Sequence, residues 1–159
     1  MQGENSMAQQ GHDELWMRRA LRQAQQAAAT GDVPIGAVIL QGTTLIAQAH
    51  NQVERLKDPT AHAEMIAITQ AAAALGDWRL AGTVLYVTKA PCPMCSGAIV
   101  LARIPRVVFG APDPQHSGIL QGPEVSGGVL LDECRALLQD FFKSVRQKPL
   151  AGRRRSDAL

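Results

Sequence analysis

Hydrophobic and polar positions recur with two different periods along this chain, and each change of period marks an element. The stretch "DELWMRRALRQAQQAAAT" places Leu15, Trp16, Ala20 and Leu21 at helical spacing, with Asp13 as a cap and Gly31 as a stop, so it predicts a first helix. Two β-rich runs follow, "PIGAVILQ" and "TLIAQAHN", and the Gly42-Thr43 pair between them predicts a hairpin. "TAHAEMIAITQAAAAL" is rich in alanine, begins after Pro59 and stops at Gly76, which predicts a second helix. "TVLYVTK" is β-branched and aromatic and reads as a strand; "PCPMCSGAIVLAR" reads as a helix closed at the Ile104-Pro105 break, and "RVVFG" as another strand. Beyond the proline- and glycine-rich "APDPQHSGILQGPE", a weak strand at "VSGGV" and a helix from Asp132 to about Arg146 complete the pattern. Helices alternating with five apolar strands, without internal repeats, imply an α/β fold in which a mixed sheet is covered on both faces.

Composition narrows the function classes. A chain of 159 residues, 46% hydrophobic and 19% charged, is of a size for one domain. Its longest apolar runs, Val33 to Leu40 and Gly127 to Leu131, fall well short of the roughly 20 residues a membrane span needs. The opening "MQGENSMAQQGHDELW" has no basic region leading into an apolar one, so it does not read as a secretory signal, and Met7 is an alternative start. The expected location is the cytoplasm. The net charge of +2 is unevenly spread: from Arg146 onward, Arg146, Lys148, Arg153, Arg154 and Arg155 face only Asp157, which leaves the body at about −2. Bulk charge therefore does not argue for a nucleic-acid partner, and the basic end over 148–159 reads as a disordered tail, as residues 1–11 read as a disordered start.

The chemistry is concentrated in two short stretches. In "APCPMCSGAIV", Cys92 and Cys95 are three apart; if Cys92 is the N-cap and Pro93 the first helical residue, both sulfurs lie on the opening turn, where unpaired amides stabilise thiolates. Thirty residues upstream, "PTAHAEM" sets His62 and Glu64 two apart at the start of its own helix. His62 can supply a third ligand to one ion, which leaves a fourth position for water as in catalytic rather than structural zinc sites. Two thiolates and a neutral imidazole cancel the charge of Zn²⁺ and weaken it as a Lewis acid, so a nearby base is needed, and Glu64 is placed to be one. A Cys-x-x-Cys pair is also the signature of a redox dithiol, and the two stretches make a metal site only if they meet in space. Cys134 in "LLDECRALLQDFF" reads as a small buried side chain, His12, His50 and His116 as surface or loop residues, and Asn51 as a turn residue ending its strand.

"HAE" followed by "PCPMC" resembles the signature of the zinc-dependent cytidine deaminase superfamily. The segments "DVPIGAVIL", "DPTAHAEM", "DWRLAGTVLYVT", "PCPMCSGAIVLARIPRVVFGAPD" and "GVLLDECRALLQDFF" are similar, in order, to bacterial tRNA adenosine deaminases from about His12 to Arg146. The resemblance implies a three-layer α/β/α domain over 12–147 with a central five-stranded mixed sheet, a homodimer, and one zinc per chain. It further implies that His62, Cys92 and Cys95 are the ligands and that Glu64 carries protons between water and the departing ammonia. Asn51 matches the asparagine that hydrogen-bonds the base, and Val33 and Ala61 match positions near it. Asp113, Phe142 and Arg146 match positions near the flipped anticodon nucleotides.

Three departures qualify the likeness. Lys89-Ala90 stand where the family usually has Leu-Glu; "PQHSGILQGPEVSGG" replaces a long helical insertion after Asp113; and Val145 stands where a second arginine is frequent. With two contact regions reduced, weaker tRNA binding is expected. The resulting expectation is a zinc-dependent hydrolytic deaminase of a nucleobase, with adenosine at the tRNA anticodon wobble position as leading substrate and inosine as product. The alternatives are a deaminase of free bases or nucleosides such as guanine or cytosine, and a non-catalytic zinc-containing partner subunit, against which Glu64 argues.

Overall fold

A computed structural model describes residues 2–116 and 121–148. The elements run α1 (Gln2–Ala29), β1 (Gly36–Gln41), β2 (Thr44–His50), α2 (Val53–Leu56), α3 (Ala63–Leu75), β3 (Thr83–Lys89), α4 (Pro93–Leu101), β4 (Arg106–Ala111), β5 (Glu124–Ser126) and α5 (Leu131–Gln147). The five strands form one mixed sheet in the order β2-β1-β3-β4-β5, with β1 antiparallel to both of its neighbours and β3, β4 and β5 parallel. This is the predicted α/β architecture. Of the basic tail expected over 148–159, all but Lys148 lies outside the described residues.

Strand periodicity divides the side chains between two cores. On one face Ala37, Ile39, Leu85, Val87 and Val107 pack with Ala63, Ala67 and Ala71 of α3 and Ile99 of α4. On the other, Val38, Leu40, Tyr86 and Val108 pack with Met17 and Ala20 of α1 and Cys134 of α5. Alternate residues of each central strand thus serve opposite layers, which is why these strands read as continuous apolar runs. Small residues set the spacing. A Cβ on Gly36 would strike the Ala20 carbonyl and Ala24 amide of α1, and one on Gly110 would strike the Cys134 sulfur and the Thr88 carbonyl, so both glycines are needed for helix to lie on sheet. Burial pushes the Cys134 thiol up to about 12, in keeping with its reading as a buried, inert side chain.

Three expectations need correction. Helix α1 begins at Gln2, so residues 2–11, expected as a disordered start, form its first turns, exposed over 3–11. Asp13 is not its cap: it is buried in mid-helix, at the head of a stripe continued by Met17, Ala20, Ala24 and Ala27, while Leu15 is exposed. Its carboxylate accepts a hydrogen bond from the Tyr86 hydroxyl at 2.8 Å and two from the Arg106 guanidinium at 3.1 and 2.8 Å, which pins α1 to β3 and β4. The last strand falls at Glu124–Ser126 and not on 125–129, because Gly127 presses against the Phe109 ring and Gly128 turns the chain at φ 83°. The short α2 had no hydrophobic period to reveal it. Its start is capped from a distance: Asp32, fully buried, accepts from the Glu54 and Arg55 amides at 2.6 and 3.3 Å.

Burial works to raise the Asp13 pKa, but the hydrogen bonds from Arg106, Tyr86 and Gln9 outweigh it and leave the carboxyl below its ordinary 3.8. A depressed carboxylate contributes stability that is present above the unfolded pKa and lost as pH falls through the folded one. Asp13→Asn is therefore expected to cost about 2 kcal/mol in urea unfolding at neutral pH, and the gap from the parent is expected to close as pH falls below 3.8. A gap that stays constant into acid would show that the charge of Asp13 contributes nothing.

Candidate active site

The site is built from two helix beginnings. His62 is the N-cap of α3 and Cys92 the N-cap of α4, both in extended backbone, and neither side chain caps its own helix. Both are thereby left to point elsewhere. Pro93 opens α4 as expected from its fixed φ, and puts Cys95 on the same first turn as Cys92. Upstream of His62, Asp58 holds the approach in a tight turn: its Oδ1 accepts from the Thr60 amide at 2.8 Å and the Thr60 hydroxyl at 2.7 Å.

The two stretches meet. His62 Nδ1 lies 3.5 Å from Cys92 Sγ and 3.5 Å from Cys95 Sγ, and the three donor atoms all fall within 4.8 Å of one another. A tetrahedral zinc with Zn–S about 2.3 Å and Zn–N about 2.0 Å has N···S edges of about 3.5 Å, so the donor set fits this ion without rearrangement. Burial and the Lys89 charge hold the His62 pKa below its ordinary value, which keeps the imidazole neutral, as a ligand must be. Burial, then the neighbouring Glu64 and Cys92, push the Cys95 thiol far up. Acidic groups that oppose one another's ionisation in this way are relieved by a divalent cation among them.

Beside the donors, Glu64 on the first turn of α3 is buried, and its Oε2 has no hydrogen-bond partner among the described residues. Burial raises its pKa against the opposing pull of its own amide, the Cys95 side chain and the Lys89 charge. A buried carboxylate oxygen without a partner costs stability unless a ligand or ion meets it. Glu64 and His62 line a cavity of about 390 Å³, the size of a small-ligand site.

The other expected site residues divide. Val33, Asn51 and Phe142 also line this cavity. Asn51 is fixed by its own hydrogen bonds, Nδ2 donating to the Val33 carbonyl at 3.3 Å and Oδ1 accepting from the Val53 amide at 3.2 Å, so one N–H and one lone pair are left to face a ligand. Ala61 is buried and does not line the cavity, and its carbonyl accepts from the Gln52 amide at 3.0 Å. Asp113 stands behind Lys89, 3.6 Å from its ammonium. Arg146 lines an adjacent groove, which shares Phe142 with the cavity. His116, expected as a plain loop residue, lies with its Nδ1 2.9 Å from Asp113 Oδ2. Sequence reasoning did not assign Lys89 and Phe141, which line the cavity; the only sequence signal for Lys89 was its departure from the family pattern.

A three-ligand metal centre with a buried carboxylate facing a ligand-sized cavity defines the class: a hydrolytic metalloenzyme centre at the strand-to-helix end of an α/β sheet. Residues 10–111 match the model of the cytidine and deoxycytidylate deaminase zinc-binding region, and the chain belongs to this family. It is 47% identical over 154 residues to the tRNA-specific adenosine deaminase of Bacillus subtilis, covering 89% of this chain and 96% of that protein. Against the tRNA-specific adenosine deaminase of Aquifex aeolicus it is 46% identical over 144 residues, covering 84% and 95%. A structure from a study of A-to-I editing by tRNA:A34 deaminases at the wobble position superposes with a TM-score of 0.72 at 39% identity, covering 77% of this chain and 97% of that one. A guanine deaminase from Bacillus subtilis superposes with a TM-score of 0.60 at 32% identity, covering 88% and 80%.

Cys92→Ala is expected to remove the metal and lower the melting temperature, whereas Glu64→Ala is expected to keep about one zinc per chain by metal analysis. Full zinc content in the Cys92 variant would take Cys92 off the ligand set.

Proposed function

We propose that this protein is a zinc-dependent hydrolytic deaminase that converts adenosine to inosine at the wobble position of a tRNA anticodon. The observation that carries the reading is that Glu64, buried and with no hydrogen-bond partner at Oε2 among the described residues, lines one cavity with His62, whose ring meets the Cys92 and Cys95 sulfurs. The substrate is supported by the tRNA-specific adenosine deaminases to which nearly the whole chain is similar.

His62, Cys92 and Cys95 would hold zinc, which when bound would supply Lewis acidity to activate water. The remaining chemistry belongs to the chain. Glu64 takes a proton from the attacking water at Oε2 and returns it to the exocyclic amine, which leaves as ammonia while the ring carbon keeps the oxygen. Its raised pKa suits a group that must both accept and donate. Asn51 offers its spare amide N–H and lone pair to the polar edge of the base, and Val33 forms an apolar wall against its face. Phe142, exposed at the rim, offers a stacking surface to a flanking nucleotide, with Arg146 beyond it for a phosphate.

Two further features belong to this reading. The chain acts as a homodimer, supported by α4, whose Val100 and Leu101 are exposed apolar residues at its C-terminal end. It works in the cytoplasm, where a reducing environment suits three free cysteines; among the described residues, no helix is long and apolar enough to cross a membrane.

The deciding experiment is nucleoside mass spectrometry after zinc-loaded protein is incubated with an adenosine-34 anticodon stem-loop, and separately with free guanine, cytosine and their nucleosides. Inosine in the stem-loop is expected, falling by roughly 10²–10⁴-fold in Glu64→Ala. Ammonia released only from a small molecule would replace the RNA substrate by a free base. For the dimer, Leu101→Glu is expected to shift the sedimentation mass to that of a monomer; an unchanged mass would move the interface elsewhere.

A further inference from the structure

Lys89 is the last residue of β3, at the end of the sheet where α4 begins and the metal donors gather. It pairs in register with Ala111 of β4, so the chain leaving β4 through Pro112 brings Asp113 alongside it. Asp113 is almost fully buried and is itself oriented from two sides. Its Oδ1 accepts from the Gln115 amide at 3.0 Å, and its Oδ2 lies 2.9 Å from His116 Nδ1. The Lys89 ammonium lies 3.6 Å from that Oδ2, long for an ion pair, and so the carboxylate steers the lysine without saturating its three donors.

The charges around the cavity make this lysine distinctive. Among the described residues that line it, Lys89 is the single cationic side chain. The acids there have other partners or roles: Asp32 caps α2, Glu54 lies 3.4 Å from Lys57, and Glu64 is the buried carboxylate beside the metal donors. Lys89 also differs from Glu64 and Asn51 in depth. Those two are buried, at 3% and 6% exposure, whereas 34% of the Lys89 side chain is exposed, so Lys89 is the more solvent-accessible part of the cavity wall. A group that reads an oxo or amino substituent of a base belongs on the floor. A nucleotide inserted base-first brings its phosphate to the rim, and across the shared Phe142 the neighbouring groove carries Arg135 and Arg146 for the phosphates that follow.

We infer that Lys89, steered by Asp113, is a binding residue for the RNA backbone phosphate attached to the nucleotide in the cavity. The inference rests on the RNA-deaminase reading above. It supplies from the β3 wall a phosphate contact that Val145 of α5, also lining the cavity, cannot make. Because lysine contacts phosphate as a point charge, arginine at this position keeps the contact and methionine removes it while preserving the apolar stem.

The test compares the zinc-loaded protein with Lys89→Met, Lys89→Gln and Lys89→Arg, after zinc content and melting temperature are matched. Affinity for the adenosine-34 stem-loop is measured in a Glu64→Ala background across a salt series, and kcat and KM are measured with Glu64 intact. Lys89→Met and Lys89→Gln are expected to weaken binding about tenfold at low salt and to flatten the log-log salt slope by roughly 0.7 to 1, with the loss carried by KM, while Lys89→Arg stays near the parent. An unchanged salt slope, or a loss confined to kcat, would overturn the phosphate contact and leave Lys89 acting through its field on Glu64 and His62. An effect confined to free guanine or a nucleoside would overturn it in favour of base reading. If the unaltered protein neither binds nor deaminates the stem-loop, the RNA reading fails first and this inference with it, and that outcome is visible before any Lys89 variant is compared.

Discussion

Two helix N-termini end at one point, and the site follows from that. The first turns of α3 and α4 each present unpaired backbone N–H groups, and two such positive ends brought together repel unless something electron-rich lies between them. His62 and Cys92 occupy the N-cap positions, where a serine or aspartate would usually be consumed in capping, and their side chains are turned instead toward the shared space. Cys95 and Glu64 join them from the first turn of each helix. The backbone field at this point works against the burial that pushes the Cys95 thiol and the Glu64 carboxyl up, and a divalent metal among the donors works in the same direction.

The sheet makes the meeting possible. Strands β3 and β4 are parallel, so the segment joining them must cross one face of the sheet, and α4 makes that crossing with its N-terminus at the end where β3 stops. Helix α3 lies on the same face and shares its core of small alanines, which lets the two helices approach. The opposite face does different work. There α1 and α5 close over Gly36 and Gly110, and α5 carries Phe141, Phe142 and Val145 round to the far wall of the cavity. One layer supplies the chemistry and the other shapes the space in front of it.

Much of this was legible in the residue pattern. Strands alternating between two buried faces left unbroken apolar runs, and the Gly42 turn at φ 60° and the Gly76 cap at φ 66° are sites where glycine chemistry fixes an element's end. Cys92 and Cys95 were legible as a pair because they share one helical turn, whereas the place of His62 beside them came from the family resemblance, since no local period links residues thirty apart. What escaped were partnerships between residues far apart in sequence. Asp13 looks like a cap in a local window, and only the arrival of Tyr86 and Arg106 makes it a buried anchor. Asp32 capping α2, Asp113 steering Lys89 and His116 joining Asp113 have the same character: a polar residue whose role is set by what the fold sets beside it. Local pattern carries no information about such pairs.

The Asp13 anchor also constrains the order in which the molecule can assemble. Its partners lie 73 and 93 residues downstream, so the first helix to emerge during synthesis cannot be locked in place until β4 has been made. Closing so long a loop is entropically costly, and the residues of α3 and α4 precede Arg106, so both metal-binding helices are synthesised before the anchor can be completed.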